Sequence, residues 1–226
     1  MIALLFDIHG NLPALDAVIE DARAQGTDRW LLGGDYAVFG AWPAETIARL
    51  QELSDATWIR GNVDRWAATG PPDFDLARSG VVDCRQALDP DTIAALGALP
   101  ESADLGGGAR AWHASPKDDM HSFWPQPGAD EAELLDGVSD QRLVFGHFHV
   151  AFERTSASGI ELVAPGSVGI PVDGNNRAAY ALLHDNGHIE RRRVAYDHLA
   201  SAARIRQVAR SAWGDTIARR IEQAAP

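Results

Sequence analysis

Ile2-Ala3-Leu4-Leu5-Phe6-Asp7-Ile8-His9-Gly10-Asn11 is the stretch from which the fold can be read. Its five leading apolar residues, Ile2–Phe6, make a short continuous run of the kind that forms a fully buried strand. Asp7 and His9 follow at once, so two metal-ligand-type side chains leave the end of that strand. Asn11 is placed to cap the next segment, with Pro13 in its first turn. Leu12, Leu15, Val18, Ile19 and Ala22 then recur at helical spacing until Gly26. The pattern repeats: Trp30–Leu32 runs into Gly33-Gly34-Asp35, a helix is expected over Ala44–Leu53, and Thr57–Ile59 runs into Gly61-Asn62-Val63-Asp64. This β-α-β-α-β opening predicts a parallel sheet with helical crossovers. Open α/β sheets place their ligands at the carboxyl ends of such strands.

The rest of the chain changes character. Gly70-Pro71-Pro72-Asp73 reads as a loop, and Asp89-Pro90 starts a helix that reaches about Leu99. Ala109–His113, Leu143–Phe145, Ile160–Val163, Ala178–Leu183 and Ile189–Val194 are strand candidates separated by turn residues. Gly106-Gly107-Gly108 is expected to be a hairpin turn, since no phosphate-loop lysine follows it, and Asp185-Asn186-Gly187 another. From Asp197 the chain reads as helix, with Leu199, Ala203, Ile205 and Val208 periodic, and a second short helix is expected after Gly214-Asp215. The expected fold class is α/β, with two stacked mixed β-sheets flanked by helices. One domain is expected over residues 1–226, with 197–226 a helical extension packed on it.

With 226 residues and 46% hydrophobic content, the chain can bury one substantial core. A net charge of −12 argues against general nucleic-acid binding, which calls for a basic patch. Cys84 is the only cysteine, which excludes an intramolecular disulfide and a thiolate metal cluster, and it reads as a small buried hydrophobe. The opening apolar run is too short for a signal peptide or a membrane span. The expectation is a soluble cytoplasmic protein with no membrane partner; a homo-oligomer remains compatible with the sequence.

Seven side chains in short motifs carry the chemistry: Asp7, His9, Asp35, Asn62, His113, His147 and His149. Carboxylate, imidazole and amide oxygen together suit borderline or hard divalent metals. Seven ligands exceed one tetrahedral ion and suit two octahedral-like ions sharing a carboxylate, the apparatus of two-metal phosphoryl chemistry. His147 and His149, like Asp7 and His9, stand two residues apart, so in a regular strand each pair would share a face.

At these motifs the sequence resembles the calcineurin-like metallophosphoesterases, and within them the small prokaryotic phosphodiesterase branch. Asp7-Ile8-His9-Gly10-Asn11-Leu12 carries the resemblance, as do Gly34-Asp35, Gly61-Asn62, Trp112-His113 and Gly146-His147-Phe148-His149. So do Pro165-Gly166-Ser167-Val168-Gly169-Ile170-Pro171, Asp173-Gly174 and Arg177-Ala178-Ala179-Tyr180. The resemblance implies a four-layer α/β/β/α sandwich and a site with two divalent ions, Mn²⁺ first, with Fe²⁺, Ni²⁺, Zn²⁺ or Mg²⁺ admissible. Asp7, His9 and His149 would hold one ion, Asn62, His113 and His147 the other, and Asp35 would bridge them. Asp35, Asn62 and Asp64 are then the expected catalytic residues. Asn11, Gly166, Ser167, Trp66 and His121 are the expected substrate contacts. Trp42 and Trp124 also fall beside site-proximal loops, whereas His184, His188 and His198 read as surface or turn residues.

Three departures from the family pattern stand out. Its third motif usually carries a histidine that assists the leaving group or stabilises the transition state; here that position is Val63, and Asp64 keeps its place without that partner. Tyr36-Ala37-Val38-Phe39-Gly40 is more apolar than the family pattern at its first positions, and Ala164 stands where related proteins often have Asn. The resemblance implies a phosphodiesterase acting on a small phosphodiester, with the two metals activating a water for in-line attack. The alternatives are a phosphomonoesterase or protein phosphatase, a dinucleoside polyphosphate hydrolase, and a non-enzymatic metal-binding scaffold, as in the retromer subunit of this fold.

Overall fold

The computed structural model describes residues 1–226. Strands β1 (Ile2–Leu5), β2 (Trp30–Leu32) and β3 (Ala56–Trp58) alternate with helices α1 (Leu12–Ala24) and α2 (Pro43–Gln51). Helices α3 (Asn62–Thr69), α4 (Asp75–Ala87) and α5 (Pro90–Gly97) follow, then strands β4 (Ser102–Gly106) and β5 (Ala109–Trp112) and the single turn α6 (Glu131–Leu134). Strands β6 (Arg142–Val144), β7 (Phe152–Thr155), β8 (Glu161–Ala164), β9 (Ala178–Leu183) and β10 (Ile189–Val194) lead to helices α7 (His198–Val208) and α8 (Trp213–Gln223). No helix is long and apolar enough to cross a membrane.

Two five-stranded sheets result, ordered β10-β9-β1-β2-β3 and β4-β5-β6-β8-β7. In the first, β1, β2 and β3 are parallel and β9 and β10 antiparallel. In the second, β5, β6 and β8 are parallel and the edge strands antiparallel. Both sheets are therefore mixed, as the sequence predicts. The reason they stack is visible in β1. Ala3 and Leu5 point to the helices, into the cluster holding Leu15, Val18 and Ile19 of α1. Leu4 points the other way, with Leu31 and Ala181, onto Ala111, Val144 and Val163 of the second sheet. The period-2 alternation of strands thus gives one run of apolar residues two cores. The outer face of the second sheet is covered more thinly, by Phe123 and the Leu134–Leu135 end of α6 against Leu143, Phe145 and Leu162.

Five elements lie outside the sequence expectation: α3, α4, β4, the single turn α6 and β7. In α4 the obstacle was Gly80, which costs a helix interior about 1 kcal/mol relative to alanine. Its place is explained by packing: a Cβ at Gly80 would sit 2.3 Å from the Phe39 ring. The same contact explains the apolar Tyr36–Phe39 segment, which is buried under α4 and α8, with Phe39 6.0 Å from Trp213. The two hairpin turns lie where expected, between β4 and β5 and between β9 and β10. The last helix starts at Trp213, just ahead of Gly214-Asp215.

Candidate metal centre

Five loops deliver the seven ligand-type side chains, and each loop follows the carboxyl end of a strand. Asp7 and His9 follow β1, Asp35 follows β2, and Asn62, the first residue of α3, follows β3. His113 follows β5, and His147 and His149 follow β6, so both sheets contribute. All seven are drawn together. His9 Nε2 lies 3.1 Å from His149 Nε2 and 3.7 Å from Asp35 Oδ2. His149 Nε2 is 3.6 Å from Asp7 Oδ1. On the other side, Asn62 Oδ1 is 2.9 Å from His113 Nε2 and 3.0 Å from His147 Nδ1. Asp35 Oδ1 lies 3.4 Å from His113 Nε2, so the Asp35 carboxylate faces both groups, one oxygen to each.

The backbone is strained where these side chains leave it. Of the eight non-glycine residues with positive φ, five are Asp7, His9, Asp35, His147 and His149. Each such conformation costs on the order of 1–3 kcal/mol and persists where the surroundings enforce it, typically at functional sites. Glycine permits the close approach: a Cβ on Gly61 would stand 2.1 Å from Asp35 Oδ1, and one on Gly34 would stand 2.8 Å from His113 Nδ1.

The donor set fits a pair of divalent cations. Three imidazoles bind backbone carbonyls through Nδ1: His9 to Val38 at 2.9 Å, His113 to Gly33 at 2.9 Å and His149 to Ile170 at 2.7 Å. A carbonyl only accepts, so Nδ1 carries the hydrogen and, in the neutral ring, Nε2 points a lone pair inward. His9 and His149 therefore face each other lone pair to lone pair, an arrangement that a cation relieves. Such outer contacts are what orient histidine ligands. Asp7, His9 and His149 form one potential metal-binding group, and Asp7, Asp35 and His113 a second.

Electrostatics agree with that fit. Burial pushes the Asp7 carboxyl up to about 8, against the pull of His113. Burial also opposes ionisation of Asp35, but His113, His9 and His147 outweigh it and hold Asp35 below the usual carboxylate range. Burial opposes charge on His113 as well, yet Asp35 and Asp7 drive it up to about 10. Burial, aided by His113, pushes His147 down to about 4, while burial and then His9 keep His149 well below the usual histidine value. The carboxylates call for positive charge, and three of the four rings resist supplying it as protons.

Asp64 has a different place from the one expected. It is buried and absent from the cavity wall, and its carboxylate accepts the backbone N–H groups of Gly61 at 2.9 Å, Asp35 at 2.8 Å and Tyr36 at 3.2 Å. It ties the β2 and β3 loops together and positions Asp35. Burial and the neighbouring Asp35 push its carboxyl up to about 7, against those amides, which favour the anion.

Above the centre lies a cavity of about 600 Å³ reached by His9, Asp35, Asn62, His147 and His149. Its wall is mostly apolar: Phe39, Val63, Trp66, Phe74, Met120, Trp124, Phe148 and Ile217 contribute. Trp124 stacks on Phe148 with centroids 4.0 Å apart, and Trp66 meets Phe74 edge-on at 6.0 Å. Of the expected substrate contacts only Trp66 lines this cavity. Asn11 caps α1 and gives its amide to Gly169 O at 2.8 Å and Tyr196 Oη at 3.2 Å. The Ser167 hydroxyl donates to Asp7 O at 2.7 Å and accepts from Ile170 N at 2.8 Å, so it holds the ligand loops from behind. Gly166, next to it, is packed against Ala151 and Ala179. His121 is exposed and bound to Asp118 at 2.7 Å, outside the wall, and Trp42 is also absent from it. The sequence reading missed Arg220, the only cationic residue of the wall, because it lies on α8, far from every motif.

Known proteins share this architecture over its full length. A metallophosphoesterase from Sphaerobacter thermophilus superposes with a TM-score of 0.81, at 24% identity and 99% coverage of both chains. A hypothetical protein from Pyrococcus horikoshii OT3 gives 0.84, at 20% identity over 100% of this chain and 99% of its own. An uncharacterized protein of Methanocaldococcus jannaschii is 28% identical over 220 residues, 87% of this chain and 88% of that one. Residues 1–187, which include every ligand-type side chain named above, match the family model for the calcineurin-like phosphoesterase superfamily domain, a family that uses divalent metals. With that match, the two stacked mixed sheets and the buried carboxylate–imidazole cluster between their strand ends, the chain belongs to the calcineurin-like phosphoesterase superfamily.

Proposed function

We propose that this protein is a phosphodiesterase dependent on two divalent metal ions, acting on a small phosphodiester with an aromatic or otherwise flat substituent. The observation that carries the proposal is the pairing of the seven-ligand cluster with an apolar cavity wall in which Val63 takes the position of the family's leaving-group histidine. Asp7, His9 and His149 would hold one ion, and Asn62, His113 and His147 the other, with Asp35 shared. Bound there, two divalent ions, Mn²⁺ foremost, supply positive charge to phosphoryl oxygens and lower the pKa of water.

The chain's own residues set what can react. Val63 is buried against the cavity and offers neither a proton nor a hydrogen bond to a departing oxygen. A positioned acid typically contributes about 10²–10⁴-fold where the leaving group needs protonation. Esters with acidic leaving groups are the ones that lose least without it, which favours activated diesters over alkyl monoesters. Trp66, Phe74, Trp124 and Phe148 offer flat apolar surfaces beside the centre. Asn62 would offer a metal a neutral oxygen, and Asp64 keeps Asp35 in place from outside the cavity wall.

A dinucleoside polyphosphate hydrolase is the second reading, supported by the same aromatic pairs, which suit a nucleobase. The test is a panel of aryl and alkyl monoesters, diesters, cyclic nucleotides and dinucleoside polyphosphates, run with each metal returned to chelated protein. Fastest turnover on aryl diesters is the expected result; fastest turnover on alkyl monoesters would overturn it.

A further inference from the structure

We propose that Arg220, on the C-terminal helix α8, is a substrate-binding residue that takes phosphoryl oxygens of the substrate at the metal centre; this rests on the phosphoesterase reading above.

Residue 220 lies beyond the part of the chain that matches the family model, residues 1–187. Its helix is nevertheless fixed against the site. Trp213, Ile217 and Ile221 are buried at helical spacing, and Trp213 Nε1 donates to Asp83 of α4 at 2.8 Å. The end of the helix is tied down where Gly174 N donates to Ala224 O at 2.8 Å. Three residues after Ile217, Arg220 shares its side of the helix, and both line the cavity together with His9 and Asp35.

This guanidinium makes no hydrogen bond or ion pair with any side chain of the protein. Its Nε is buried without an acceptor. The carboxylates that stand on or near α8 are engaged elsewhere, Glu222 and Asp215 by Arg206 of α7. Other half-buried arginines of the chain are paired, as Arg65 is with Asp119, Arg192 with Asp21 and Arg154 with Glu131. A partly desolvated, unpaired cation is costly to hold. Beside a cation-binding centre it repels what the centre holds until an anion enters, and then it attracts that anion. Guanidinium is suited to the task, because its planar fork matches two oxygens of one phosphoryl group and keeps its charge at any working pH.

The test uses metal-loaded full-length protein and inorganic phosphate as the probe, measured by calorimetry, alongside kinetics on an aryl diester. A hydrogen bond to a charged group contributes about 1.5–3 kcal/mol, roughly 10- to 150-fold. Arg220→Ala is expected to weaken phosphate binding and lower kcat/KM within that range, with metal content and Tm unchanged. Arg220→Lys should recover part of the loss, and added guanidinium should partly rescue Arg220→Ala. Arg219→Ala, on the exposed side of the same turn, should match the wild type. Phosphate binding by Arg220→Ala equal to that of the wild type would overturn the proposal. Should the wild type bind phosphate in an Arg220-dependent way yet hydrolyse no ester with any metal, the phosphoesterase reading fails and the anion site stands.

Discussion

The Nε2 atoms of His9 and His149 face each other at 3.1 Å, while each ring gives its Nδ1 hydrogen to a backbone carbonyl, Val38 and Ile170 respectively. Two inward lone pairs at that distance make a candidate cation site. Divalent metal should therefore raise the Tm of chelated protein, because a ligand that binds only the native state at 100 times its Kd adds about 2.7 kcal/mol. For a chain of this size that is roughly 5–10 °C. Metal analysis should approach two ions per chain. Full turnover in metal-free protein, or no thermal shift with any of the five metals, would refute the assignment.

Asp35 faces both ligand groups, whereas Asn62 serves one. Asp35→Asn should lose more activity and more bound metal than Asn62→Asp, which keeps an oxygen ligand in place. Gly61→Ala should also disturb Asp35, since its Cβ would press on both Asp35 Oδ1 and the Asp35 backbone nitrogen. Kinetics and metal content of the three proteins decide the order. His198→Ala, remote from the cluster, is the control.

Asp64 holds three backbone N–H groups that nothing else accepts. Asp64→Ala strands them, at about 1–3 kcal/mol each, so a loss of at least roughly 3 kcal/mol is expected. Denaturant unfolding measures it. A loss below about 1 kcal/mol would mean that water satisfies those amides.

Val63→His places an imidazole on the cavity wall. It should improve turnover of monoesters with poor leaving groups selectively and leave aryl diesters nearly unchanged. A leaving-group series compared between wild type and variant gives the slope. An unchanged slope would show that another group already supplies the proton.

Cys84 lies buried on α4, and burial, with Asp64 adding to it, pushes its thiol up to about 12. Because the thiolate is the reactive form, a chromogenic disulfide at pH 8 should label native protein hardly at all and unfolded protein once per chain. Fast labelling of the native state would show that α4 opens.

The candidate metal ligands were legible because each one sits within a few residues of a short strand run, and strand runs are local signals that survive without neighbours. Leu4 and Leu5 announce a strand to any reader of the chain. Asp7 is then fixed at its end. The hairpin at Asp185-Asn186-Gly187 was legible for the same reason: its turn chemistry lies in adjacent residues. The helix at Asp75–Ala87 was not, because Gly80 opposes it locally and only the Phe39 ring explains it. Asn11, Gly166 and Ser167 were expected to touch substrate, but their side chains and packing support the ligand loops from behind instead of lining the cavity.

What the sequence by itself determined, then, is most of the strand and helix order, the mixed α/β class and a set of side chains chemically able to hold metal. Tertiary structure alone decided which oxygen of Asp35 meets which histidine, which aromatic residues wall the cavity, and that Arg220 stands among them. The physical reason is range: apolar periodicity and turn chemistry act over a few residues. The cavity, by contrast, is closed by α3, α4, the Met120–Trp124 loop and α8, which meet only when the apolar faces of both sheets and all the helices have been buried together.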